Sequence, residues 1–220
     1  MPPLKCRLHY VVEEAPSHDG TPCFTAWVRA VIAKVPKGWC SSDFRIDDER
    51  PEWSIQIYDT TPGSDNSDHL KSLAKTLHEE TWEEREGYGR GKPDRIDVWG
   101  IPLPTTVSDE ERIEKCKAHF MAETASREVA ACDGFHISLL DDDDDWQRGI
   151  VIIDRPKEIW NEGEGGFLAV NWDVQPQRLE YLAAEYGEDH QEPQTDAFRY
   201  TRDELGSILA DLRDGFSTDD

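Results

Sequence analysis

The chain is short of positive charge, of pairable cysteines and of long apolar runs, and each shortage excludes something. Lys and Arg number 24 against 47 Asp and Glu, a formal net charge of -23 over 220 residues. A surface of that sign repels phosphate backbones and anionic lipid, so neither direct nucleic-acid binding nor membrane binding is expected. It favours a basic protein partner or divalent cations. The five cysteines, Cys6, Cys23, Cys40, Cys116 and Cys132, are odd in number and widely spaced, with no Cys-x-x-Cys. That argues against a disulfide network and against a zinc ribbon. No apolar run nears the roughly 18 residues that cross a bilayer, and Met1 to Lys5 leads into Arg7 and His9 without the apolar stretch of a secretory signal. A reducing intracellular location is expected, cytoplasmic with the nucleus as an alternative.

Complete catalytic signatures are missing as well. His78-Glu79-Glu80 lacks the second histidine of a metalloprotease helix, and no Gly-x-Ser-x-Gly elbow occurs. The Gly87–Lys92 stretch resembles a phosphate loop only in glycine content. It lacks the Walker spacing and meets Pro93 where a helix should open.

What is present specifies a folded domain. A hydrophobic fraction of 37% with 8 Trp is not a disordered composition. A chain of this length buries about 70% of its unfolded surface. No internal repeat or linker divides it, so residues 1–216 are expected to form one domain, with 217–220 a frayed acidic tail.

Leu4 to Glu13 reads as a first strand. Phe24, Trp27, Val28, Val31, Ile32 and Val35 recur at spacings of three and four behind Thr21-Pro22, which predicts a helix, with a strand as the alternative because so many are β-branched. Trp53 to Tyr58 alternates like a half-buried strand. Asp68 to Arg85 is a helix with a Leu70, Leu73, Ala74, Leu77 stripe, and Arg95 to Ile101 another strand. Ser108 and Glu111 form a capping box for a helix that buries Ile113, Cys116 and Phe120, with Thr124 continuing the face and Met121 widening it. Phe135–Leu140, Gly149–Asp154 and Phe167–Asp173 are short apolar runs that read as a central meander. A helix begins at Pro176, Ala197 to Tyr200 is an edge strand, and Thr201 with Glu204 caps a last helix. Alternating elements followed by clustered strands predict an α+β fold, or a mixed-sheet α/β fold, with helices packed on the sheet.

Three groups of residues have the chemistry of a site. Asp141 to Asp145 are consecutive, and Asp141, Asp143 and Asp145 would share one side of an extended segment and offer oxygens to Ca²⁺ or Mg²⁺. The competing reading is a solvated turn between two strands, which lacks any requirement for metal and is preferred. Cys116, His119 and Glu123 lie close enough on one helical face to converge on zinc, with Cys132 or His136 completing the shell. Against that, Cys116 fits the apolar stripe, where a free cysteine packs as a small hydrophobe. Trp146 and Trp160 stand beside polar loops, where they would anchor a protein partner or close the ends of the core.

The resulting expectation is an acidic protein-binding module without catalysis and without a resident cofactor, its partner basic. The alternatives are a divalent-metal-dependent hydrolase or transferase working through Asp141–Asp145, and an acidic inhibitor that imitates nucleic acid.

Overall fold

The computed structural model describes residues 6–32, 54–85, 95–130, 147–173 and 195–205. Its strands are β1 (Cys6–Glu14), β2 (Cys23–Ile32), β3 (Ser54–Asp59), β4 (Arg95–Gly100), β5 (Gln147–Ile153), β6 (Phe167–Asp173) and β7 (Thr195–Tyr200). The helices are α1 (Ser67–Arg85) and α2 (Asp109–Ala130). All seven strands form one sheet in the order β1-β2-β4-β3-β5-β6-β7. The parallel centre β4-β3-β5 is extended by antiparallel neighbours on both sides. This is the mixed-sheet α+β fold expected.

The helix expected from Phe24 is a strand through Ile32, the last described residue of that stretch. β2 pairs along its length with β1 and through Cys23–Ala26 with β4, and Cys23–Trp27 are buried, which covers both faces. Phe24 and Ala26 enter one core, while Cys23 belongs to the other. A strand covered on both sides has no polar alternation, so its apolar residues mimic helical spacing.

β3 departs from expectation for the same reason: all six residues are buried rather than one face. Ile55 and Ile57 pack under α1 with its Leu70, Leu73, Ala74 and Leu77 stripe. The other face carries Ser54, Gln56 and Tyr58, in register with Arg95, Asp97 and Trp99 of β4. These polar groups form one buried hydrogen-bond network. Asp97 Oδ2 accepts from Ser54 Oγ at 2.7 Å, Gln56 Nε2 at 3.1 Å and Arg95 at 3.3 Å, and Trp99 Nε1 donates to Gln56 Oε1 at 2.6 Å.

The connection β3-α1-β4 crosses one face, and β4-α2-β5 crosses the opposite face, where Ile113, Cys116 and Phe120 pack with Tyr58, Trp99 and Ile150. Thr124 continues that stripe at 5% exposure, but Met121 does not widen it: it is 42% exposed. Both expected caps are formed, Ser108 Oγ accepting from the Glu111 backbone N–H and Thr201 exchanging bonds with Glu204. β5, β6 and β7 make an antiparallel meander that runs from the sheet centre to its edge. The expected strand 135–140 and the helix from Pro176 lie outside the described residues.

Candidate functional site

In an open sheet with parallel strands, consecutive crossovers that leave towards opposite faces open a crevice beyond the carboxyl ends of those strands. Here the two crossovers leave from β3 and β4: β3 leads into α1 on one face and β4 into α2 on the other. β3 and β5 are also parallel neighbours, with their carboxyl ends side by side. The segments after them are tied together: the Thr60 backbone N–H and its hydroxyl both donate to the Ile153 carbonyl at 2.8 Å, and the buried Arg112 of α2 donates to Thr60 Oγ1. A cleft of about 590 Å³ opens there, within the size range of small-molecule sites.

Asp59 ends β3 at the base of this cleft and is 1% exposed. Its Oδ1 accepts from the Thr61 backbone N–H at 2.9 Å and from the Thr61 hydroxyl at 2.7 Å. Its Oδ2 lies 2.6 Å from His69 Nε2. Asn66 caps α1 by accepting from the His69 backbone N–H at 2.9 Å, and this holds the histidine over the strand end. When Nε2 carries the proton toward the carboxylate, the neutral ring has its lone pair at Nδ1; the half-exposed ring lines the cleft. A carboxylate that fixes one imidazole nitrogen while the other faces a cavity is the arrangement that general acid–base catalysis uses.

The rest of the cleft is mixed in character. Leu73, Ile153 and Trp160 give it an apolar side, and Ser72, Thr76 and Thr105 add hydroxyls. Asp154 is engaged by Arg199, which also holds Asp109 at the start of α2. Arg155 and Lys157 stand at the mouth with Glu158. Arg155 meets a carboxylate of Glu164 only at 4.0 Å, and Lys157 lies 5.9 Å above the Trp160 ring.

A second cluster occupies the opposite face. His119 and Glu123 are one turn apart on α2, and the β1–β2 hairpin brings His18 and Asp19 to them. One ligand atom from each of the four lies within 4.8 Å of all the others. Glu123 Oε1 accepts the His18 backbone N–H at 2.6 Å and lies 2.5 Å from His18 Nδ1. His119 Nε2 is 3.8 Å from Asp19 Oδ1, and its Nδ1 is 3.1 Å from the Tyr58 hydroxyl. Partial burial would raise the Asp19 pKa, but hydrogen bonds from Thr21 and Ser17 and the nearby His119 hold it well below the usual carboxylate range.

Two of the three residues expected to bind zinc are therefore in this cluster. The third, Cys116, is not: it points into the apolar core beside Ile113 and Phe120, where burial pushes its thiol up to about 12. Trp160 is not a surface anchor either. It is 3% exposed, packs on Phe167 at 4.8 Å between ring centres, and donates from Nε1 to the Arg155 carbonyl at 2.9 Å. It walls the cleft because the Gly166 backbone passes so close that a side chain there would meet the indole. Asp141, Asp143, Asp145, Trp146, Cys132 and His136 lie outside the described residues.

Sequence reading missed Asp59, His69, His18 and Asp19. Asp59 and His69 are ten residues apart, at a strand end and a helix start, with no motif between them. His18 and Asp19 read as an ordinary polar turn. No family model, curated protein or solved structure matches this chain.

Proposed function

We propose that this protein binds a small organic molecule bearing an anionic group in the cleft beyond β3 and β5, and that Asp59 and His69 move a proton to or from it. The observation that carries this reading is the Asp59–His69 pair at 2.6 Å, set at the carboxyl end of the central parallel strand and lining a cavity of ligand size. Asp59 orients the imidazole, and His69 Nδ1 is the atom that exchanges the proton. Arg155, Lys157 and the N-terminal end of α1 supply positive potential at the mouth of an otherwise strongly acidic protein. The apolar side formed by Leu73, Ile153 and Trp160 accommodates the uncharged body of the ligand.

The test compares AMP, a hexose phosphate and a dicarboxylate with adenosine and the free hexose, by calorimetry on the wild type, His69→Gln and the double variant Arg155→Ser with Lys157→Ser. Binding of at least one anionic member, lost with its neutral counterpart and weakened in the double variant, supports the reading. Binding to none of them, or binding indifferent to all three substitutions, counts against it.

A second reading, an acidic module for a basic protein partner, has one structural feature in its favour. Among the described residues β7 has a neighbour on one side only, and its Phe198 is 52% exposed. An open strand edge beside an aromatic side chain is a surface to which an extended peptide can add. Pull-down by synthetic basic β-strand peptides, abolished by Phe198→Lys, would favour it. Indifference to that substitution would remove it.

A further inference from the structure

We propose that His18, Asp19, His119 and Glu123 bind one divalent transition-metal ion of the zinc class, which fastens the β1–β2 hairpin to α2. Four features of the geometry support this. The first is convergence: four ligand atoms from two elements 105 residues apart in sequence fall within 4.8 Å of one another. Around a tetrahedral ion with bonds of about 2.0–2.1 Å, neighbouring ligand atoms stand about 3.3 Å apart. His18 Nδ1 and Glu123 Oε1, at 2.5 Å, must open slightly to admit the ion, and the wider pairs must close. His18 and Asp19 sit on an exposed hairpin turn that is able to make that movement.

The second is orientation. His119 is only 7% exposed, its ring stands edge-on to Trp99 at 4.8 Å, and the fully buried Tyr58 hydroxyl meets its Nδ1. The Tyr58 hydroxyl is able to accept from an Nδ1–H, and in that tautomer Nε2 is left as the ligand atom, which is how metal-bound histidines are held. His119 Nε2 is then the atom that faces the other three ligands.

The third is charge. Glu123 is 1% exposed, and a carboxylate so buried requires compensation. Two carboxylates and two neutral imidazoles around a divalent ion sum to zero. The fourth is ligand type. Two imidazoles disfavour Mg²⁺ and Ca²⁺, which take all-oxygen shells, and the lack of a thiolate disfavours Cu(I). The later first-row divalent ions remain, Fe²⁺, Co²⁺, Ni²⁺, Cu²⁺ and Zn²⁺, of which Zn²⁺ best suits a four-ligand tetrahedral site. This site stands on the opposite face from the cleft and is independent of the function proposed there.

The experiment uses the full chain after dialysis against a chelator. Calorimetry with Zn²⁺ alone gives stoichiometry and affinity, Co²⁺ alone gives a visible ligand-field spectrum, and thermal melts with and without Zn²⁺ report the fastening of the hairpin. The expected result is one ion per chain, with a higher Tm in the presence of Zn²⁺. His18→Ala and Asp19→Asn, on the exposed turn, keep the fold and remove or sharply weaken binding. Glu123→Gln does the same, and Tyr58→Phe, which touches no metal, weakens it about 10-fold or more. Two outcomes overturn the proposal: no binding by excess Zn²⁺, or unchanged affinity in His18→Ala with Asp19→Asn, which would place any bound ion elsewhere on this acidic chain. If Glu123→Gln fails to fold, the two hairpin variants decide the matter.

Discussion

Replacing Asp97 with asparagine should destabilise the protein more than any conservative change on its surface. Asp97 and Arg95 are both fully buried, two residues apart on one face of β4, with Arg95 3.3 Å from Asp97 Oδ2. Asparagine keeps an oxygen for the Ser54 hydroxyl and the Gln56 amide but removes the carboxylate charge that faces the buried guanidinium. Removing one member of a buried pair costs about 3–5 kcal/mol, and the retained acceptor places Asp97→Asn at the lower end, about 3 kcal/mol. In a chain of this size each kcal/mol moves Tm by about 2–4 °C, so a fall of about 6–12 °C is expected in calorimetric melts. The double variant Arg95→Met with Asp97→Leu removes both charges and should lose less than Asp97→Asn alone. The loss should also depend on pH. Burial would raise the Asp97 pKa, but Arg95 and the donors Thr25, Ser54 and Gln56 outweigh it and hold it below the usual carboxylate value. The folded state therefore binds fewer protons here than the unfolded chain. The stabilisation is complete above the unfolded pKa of about 3.9 and is lost as pH falls through the folded one. Wild type should lose stability more steeply than Asp97→Asn below about pH 4. A Tm change under about 2 °C at neutral pH, typical of surface substitutions, would refute the reasoning.

Other outcomes follow from particular contacts. Gly165 and Gly63 both have positive φ, +85° and +82°, but an added Cβ at Gly165 would run into the Tyr200 carbonyl while at Gly63 it would meet open space. Gly63→Ala should cost about 1 kcal/mol from backbone strain, and Gly165→Ala a further 1–3 kcal/mol or about that from overpacking. Urea unfolding of the two variants checks the difference. Cys116, its thiol pushed up to about 12 by burial, should resist alkylation at pH 8 in the folded protein and react after denaturation, as peptide mapping by mass spectrometry would show. Arg199→Met should expose the cleft wall to repulsion between Asp154 and Asp109, both now bound to its guanidinium, and lower Tm by several degrees. An unchanged melt would mean that the two carboxylates separate freely into solvent.

Much of the secondary structure could be read directly because period and burial agree. The α1 stripe of Leu70, Leu73, Ala74 and Leu77 is at most 6% exposed, Ser108 caps α2 through the Glu111 backbone N–H, and Thr201 with Glu204 forms a capping box. Such signals are local: a helix that covers a sheet needs one apolar face and a satisfied first turn. The reading failed where burial came from both sides. β2 lost its alternation under two helical layers. Ser54 and Gln56 fell on the solvent side of a half-buried strand because their partner Asp97 lies about 40 residues away.

The sequence by itself determined that the chain is an acidic, mixed α and β protein, and it pointed to His119 and Glu123 as residues that share a helical face. Tertiary structure alone decided where chemistry can occur. The Asp59–His69 pair exists because the turn after β3 folds the capped first turn of α1 back over that strand's end. The four-residue cluster exists because a hairpin turn lands on α2. Contacts between such distant positions depend on strand order and register, which no local periodicity encodes.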